Sequence, residues 1–309
     1  MKNSIITSFQ LFIILWPVSV LMARESIGKD HNSLINNSHR DNANPSVSVM
    51  NINNLAYWIS KDGAYTTSGS PNSVQTDYPI FTGGLIYADG ILWGAKISGD
   101  GIEQRVRVGG SYYYHGLKAG RVITDENGMV LGSHDPASNH VWRVRRDWET
   151  GDLSLDAANY YGHTTASEVS EDQIASVREQ YEYDWINWPA PWGAPYEDVD
   201  GDGSYDPATD IPGEPGADQT VWIVANDVPT IVSDGNDSLT LGDILGYLPT
   251  SNSLFNSDPI GIELQISMWA YALAADKPLG NTVFKRAKII YTGLPNSPET
   301  AKIDTLYIA

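Results

Sequence analysis

Asp198, Asp200, Asp202, Asp206 and Asp210 place five carboxylates within the run Asp-Val-Asp-Gly-Asp-Gly-Ser-Tyr-Asp-Pro-Ala-Thr-Asp. A hard dication such as Ca²⁺ takes six to eight oxygens at about 2.4 Å, and clustered acids on a glycine-bent loop supply them. The Asp-x-Asp-x-Asp-Gly pattern fits the opening of an EF-hand-type loop, and Asp206 falls where such a loop carries its ninth residue. The match then fails. The closing position is Thr209 instead of a bidentate acid, Asp210 comes one residue late, and Pro207 blocks a helix directly after the loop. The spacing therefore predicts a calcium loop inserted between strands, with Asp198, Asp200, Asp202, Ser204, Asp206 and Asp210 around one ion. The carbonyl of Ser204 or Tyr205 and water complete the expected shell. Crowded like charges repel unless a cation neutralises them; the competing reading is a solvated acidic turn. Calcium is preferred to magnesium because the ligands are many and flexibly spaced, and to zinc because no His or Cys adjoins them.

Other chemistry-bearing groups carry less. Trp185, Trp188 and Trp192 surround a Trp-Pro-Ala-Pro-Trp-Gly-Ala-Pro segment and could stack on sugar rings, although aromatics anchoring a Pro-rich loop explain them more simply. His134, Asp135 and His140 could share a metal, but the residues between them read as an ordinary turn. The chain has no Gly-x-Ser-x-Gly, no His-Glu-x-x-His and no P-loop. Carboxylate pairs for glycoside hydrolysis cannot be picked out among so many acids.

The chain that must position these groups has 309 residues, 19 basic against 38 acidic, and a formal charge of −19. That balance argues against nucleic acid, whose phosphates require a basic face. The absence of cysteine removes disulfides, thiol catalysis and zinc–cysteine sites. Residues 11–23 form an uncharged apolar run behind Lys2. As helix they span about 20 Å, short of a hydrocarbon core of roughly 30 Å. They read as a secretory signal peptide, residues 1–23, not as a transmembrane anchor. Residues 24–46 are polar and aperiodic, a flexible leader. Residues 47–309 are expected to be a β-rich exported domain, and the strand-like run ending at Ala309 reads as the interior of a longer protein.

Short apolar runs punctuated by Gly, Asn and Asp predict strands at Asn54–Ser60, Ile80–Tyr87, Ile91–Ile97, Gln104–Tyr114 and Val141–Arg145. Others are expected at Thr220–Asn226, Ile260–Ala272, Thr282–Thr292 and Ile303–Ile308. Between 165 and 185 the period changes. Ile174, Val177, Tyr181 and Trp185 form one helical stripe, Ser170 is placed to cap it, and Pro189 stops it. The fold class expected is mainly β, antiparallel and sandwich-like, with one inserted helix and the calcium loop.

Several segments together carry a resemblance. They include Ala56-Tyr-Trp-Ile-Ser-Lys-Asp-Gly63, Gly84-Leu-Ile-Tyr-Ala-Asp-Gly-Ile-Leu-Trp-Gly-Ala-Lys96, Val141-Trp-Arg-Val-Arg145 and Asp184-Trp-Ile-Asn-Trp-Pro189. Gly193-Ala-Pro-Tyr-Glu-Asp198, Val221-Trp-Ile-Val-Ala-Asn-Asp227 and Gly280-Asn-Thr-Val-Phe-Lys-Arg286 follow in the same order. Over roughly residues 50–309 the chain resembles the N-terminal region of large exported proteins of Bacteroidetes-related and marine bacteria, often cargo of type IX secretion. The resemblance implies export and a cell-surface or released location, and it supplies no activity. The function expected is a calcium-stabilised structural, adhesive or binding module whose partner is an extracellular ligand, a glycan or a cell-surface protein. The alternative is a carbohydrate-active domain that binds or hydrolyses a polysaccharide.

Overall fold

A computed structural model describes residues 9–11, 47–63, 76–86, 89–102, 106–111, 117–132, 138–228, 257–295 and 297–309. The leader 24–46, most of the apolar run before it, and His134 and Asp135 lie outside the described residues.

Nine strands carry the architecture. They are β1 (Val47–Met50), β2 (Tyr57–Ser60), β3 (Leu92–Ser98), β4 (Val106–Gly110), β5 (Trp142–Arg145), β6 (Gln219–Asn226), β7 (Ile262–Ala270), β8 (Phe284–Tyr291) and β9 (Lys302–Ile308). The central sheet runs β8-β7-β6-β5, antiparallel throughout. Phe9–Leu11 adds a short strand outside β8, and Lys118–Ala119 pairs with the end of β6. A second sheet has the order β9-β3-β4, and β1 and β2 form a hairpin. The chain is mainly β and antiparallel, as its turn-punctuated runs predict.

Period-two alternation explains why the central sheet is covered on both faces. In β7, Ile262, Leu264, Ile266, Met268 and Ala270 enter one core, while Glu263, Gln265 and Ser267 are buried on the other side. In β6, Val221, Ile223 and Ala225 join the same core, and Trp222 and Val224 point away from it. That first core is closed by Tyr57 and Ile59 of β2 and by Trp93, Ala95 and Ile97 of β3, which gives the sandwich. The opposite face is covered by helix and loop.

Two α-helices are present among the described residues, where the periodicity predicts one. The longer, α2 (Glu171–Ile186), has the expected capping box: Gln173 N–H donates to Ser170 Oγ, and Ser170 N–H donates to Gln173 Oε1. Val177 and Tyr181 of its stripe are buried, as a packing face requires. The shorter, α1 (Ser154–Tyr161), ends at Gly162 with φ of 73°, a left-handed cap. Residues 80–82, expected as the start of a strand, form a turn, and the strand described there is Gly84–Ile86, with Tyr87 outside the described residues.

A buried polar network ties the helices to the sheet. Asp156 of α1 is fully buried and pairs with Arg145 and, at 3.6 Å, with Arg143, both on β5. Tyr181 of α2 donates to Asp156 at 2.6 Å, and Gln219 of β6 donates to Tyr181 at 2.9 Å. Burial pushes the Tyr181 hydroxyl well above its ordinary value, so it stays a donor.

Candidate metal centre

The acidic loop is the tip of a small hairpin. Tyr196–Glu197 pairs antiparallel with Ile211–Pro212, so residues 198–210 leave and return at one point. Below it, Trp142, Val144, Trp188, Ala194, Trp222 and Val224 form a second core on the far face of the central sheet. The loop is sewn to that platform by two bonds: Tyr205 donates to the Trp185 carbonyl at 2.6 Å, and the Trp185 indole N–H donates to the Pro207 carbonyl at 3.1 Å.

The five acids divide into two groups. Asp210 is buried at 2% exposure, and its carboxylate accepts the N–H groups of Val199 and Asp206, each at 2.9 Å. Asp206 accepts from Ala208 N–H at 2.9 Å. These two close the base of the loop. Asp198, Asp200 and Asp202 are exposed, and each offers one carboxylate oxygen to a cluster whose atoms all lie within 4.8 Å of one another. The structure thus brings three of the five expected carboxylates together. Ser204, also expected as a ligand, donates its backbone N–H to Asp202 at 2.7 Å.

Local chemistry explains the shape of the tip. Asp198 accepts from Gly201 N–H at 2.7 Å and from Gly203 N–H at 2.9 Å, while Asp200 accepts from Asp202 N–H at 3.2 Å. These are Asx-type turns, in which an aspartate bonds the backbone two or more residues on. Gly201 and Gly203 sit at φ of 77° and 80°, and a Cβ at either would meet nothing within 4 Å. The glycines are required by backbone conformation, not by space.

The field of the cluster reaches the tyrosines beneath it. Burial raises the Tyr205 hydroxyl above the ordinary tyrosine value, and Asp210 and Asp206 raise it further. Tyr196 is raised by desolvation and then by Asp198, Asp210, Asp202 and Asp200. Oxygen-only donors on an exposed loop, open to water, suit a hard cation and offer nothing for a soft one.

The tryptophans expected as sugar-stacking candidates are used by the fold. Trp188 is 3% exposed and its indole donates to the Pro195 carbonyl at 2.8 Å, so it has no free face. Trp185 is half-buried against the acidic loop. Trp192 packs edge-on to Trp142, with the Arg121 guanidinium 5.3 Å from its ring centre. His140 is held elsewhere: its Nε2 lies 2.7 Å from Asp184 Oδ1, and Asp184 Oδ2 accepts Arg143 N–H at 2.8 Å. That pair joins the start of β5 to α2 and borders a pocket of about 320 Å³. Nothing in the sequence spacing couples residues 140 and 184. Asp227 escaped the sequence reading in the same way: it is buried, and its carboxylate accepts the N–H groups of Ile260, Gly261 and Ile262.

No protein-family model matches the chain, and neither a curated protein nor a solved structure matches it.

Proposed function

We propose that the chain is an exported β domain stabilised by calcium, serving as a surface-exposed structural, adhesive or ligand-binding module. The observation that carries the reading is the convergence of Asp198, Asp200 and Asp202 on an exposed hairpin tip. Their carboxylates would hold the ion, with backbone carbonyl and water oxygens supplying the remaining ligands. A bound cation supplies charge neutralisation there. The protein's own part is to fix the geometry: Asp210 and Tyr205 hold the base of the loop, so an ion would order only the tip. The export half of the proposal is supported by the short apolar run 11–23 followed by a polar leader. Phe9–Leu11 pairs with only three residues of β8, so removal of the run would leave the rest of the central sheet paired.

Calorimetric titration of the purified chain with calcium tests the metal. One site per chain is expected, with a dissociation constant of about 0.1–1 mM, typical of extracellular modules. Asp198→Asn combined with Asp202→Asn should abolish it, and a parent chain that takes up no calcium in that range would end the proposal. N-terminal sequencing of protein recovered outside the cytoplasm tests export: a start between Ala23 and Gly28 is expected, and an intact Met1 there would contradict it.

A further inference from the structure

We infer that the cavity where the β9-β3-β4 sheet meets the end of the central sheet binds a free apolar α-amino acid as its zwitterion. The cavity has a volume of about 290 Å³ and is lined by Arg107 of β4, Tyr291 of β8 and Asp100 in the turn after β3. Arg107 donates from Nη1 to the Pro259 carbonyl at 2.6 Å, while its Nε is buried with no partner. Among the described residues, Arg107 forms no ion pair, with Asp100 or with any other carboxylate. A guanidinium turned into a cavity without a counter-charge is costly, and its planar fork matches a carboxylate. In a chain of charge −19, a cation left unpaired is conspicuous.

The second charge narrows the class of ligand. Asp100 faces the same cavity from an exposed turn, with its backbone N–H held by Thr300 Oγ1 at 2.9 Å. A simple anion would satisfy Arg107 but leave Asp100 repelling it. A dicarboxylate would bring a second negative charge toward Asp100. A zwitterion satisfies both, its carboxylate on Arg107 and its ammonium on Asp100. Tyr291 supplies a neutral hydroxyl donor, since burial raises it above the ordinary tyrosine value. Ile97, Ile102 and Leu294 supply an apolar wall for a side chain. At about 30 Å³ for each water-sized group, the space holds roughly ten such groups. That is one amino acid of leucine's size.

The test is calorimetric titration of the full chain with L-leucine, L-leucinamide and 4-methylpentanoate. Leucinamide lacks the carboxylate and 4-methylpentanoate lacks the ammonium. Leucine is expected to bind, with each analogue weaker by about tenfold or more. Arg107→Gln should weaken leucine by at least as much. Asp100→Asn lies on an exposed turn and should leave the fold intact while leucine and 4-methylpentanoate become nearly equal in affinity. No binding of leucine at about 10 mM, a level that detects even very weak complexes, would overturn the inference. Equal affinity for all three probes, or an Asp100→Asn variant that discriminates as the parent does, would overturn it too. If Arg107→Gln fails to fold, the analogue comparison and the Asp100→Asn variant still decide the matter.

Discussion

Replacing Asp200 by asparagine should change the sign of its effect on stability when calcium is added. Three carboxylates whose oxygens lie within 4.8 Å repel by roughly 1 kcal/mol per pair in water. Asp200 takes part in two of those pairs, so neutralising it relieves about 2 kcal/mol at most. Screening lowers that figure, because the Debye length at physiological salt is about 8 Å. Asparagine keeps the oxygen that accepts from Asp202 N–H, so the turn itself survives the change. In chelator the variant should therefore be at least as stable as the parent. With calcium at a hundredfold excess over its dissociation constant, the parent gains about 2.7 kcal/mol through preferential binding to the folded state. For a domain of this size that is about 5 °C in Tm. The variant, with a ligand and a charge missing, should gain much less. Thermal melts of both proteins, with calcium and with chelator, give the four values needed. A parent that melts at one temperature in both conditions refutes the reasoning. So does a variant lowered by the same amount in each, since Asp200 would then be a structural residue of the turn and nothing more.

Three further outcomes follow from the buried and strained positions. Burial raises the Asp227 carboxyl from 3.8 to about 6, despite the backbone N–H groups that favour its charged form. Its contribution to stability is therefore complete below pH 3.8 and is lost as pH rises through about 6, a change of about 3 kcal/mol. Urea unfolding across that window should show the parent losing this much relative to Asp227→Asn; parallel pH profiles would refute it. Asp156→Ala should cost about 3–5 kcal/mol in the same assay, because it leaves Arg143 and Arg145 buried without their shared counter-ion. A loss under about 1 kcal/mol would show that the network relaxes freely. Gly203→Ala should cost about 1–2 kcal/mol from its left-handed backbone alone, while Gly203→Asn, which tolerates that conformation, should cost less; equal Tm values for the two would mean the tip rearranges.

The strands that were legible in the sequence are those whose pattern the fold uses directly. Gln219–Asn226 is a continuous run rich in β-branched and aromatic residues, and Ile262–Met268 alternates apolar with polar residues; each face of both strands is buried against something. The capped helix was legible for the same reason, since the stripe and the Ser170 signal agree with the packing. The helix Ser154–Tyr161 was not. Its apolar residues Ala157, Tyr160 and Tyr161, with Leu153 at the N-cap, pack against Val177 and Tyr181 of α2, but the stripe is short and is interrupted by the buried polar residues Asp156 and Asn159. The ion pair that ties Asp156 to β5 is set by tertiary packing, and residue spacing alone does not announce it. Val47–Met50 was missed because four residues at the edge of a polar leader give too short a run to count.

The same distinction separates the two halves of the acidic loop. Aspartate spacing announces a cluster of carboxylates, but it cannot say which of them face outward. That choice is made by the hairpin Tyr196–Glu197 with Ile211–Pro212, whose pairing places position 210 at the closing end of the loop. There Asp210 is drawn inward to bond the N–H groups of Val199 and Asp206, which a buried loop base must satisfy. Backbone donors alone do not separate the acids, since Asp198 also accepts two; burial does, for Asp210 is 2% exposed while Asp198, Asp200 and Asp202 remain exposed at the tip. Tryptophan in the neighbouring segment obeys the same logic. Indoles beside proline can present a flat face to a sugar, yet here the chain returns over the polar face of β7, and Gln265 bonds the Trp192 carbonyl at 2.8 Å. Covering that face required rings, and Trp188 went into the core that supports the loop. A motif's residue types set what chemistry is available; the pairing that closes the loop decides which side chains are left to perform it.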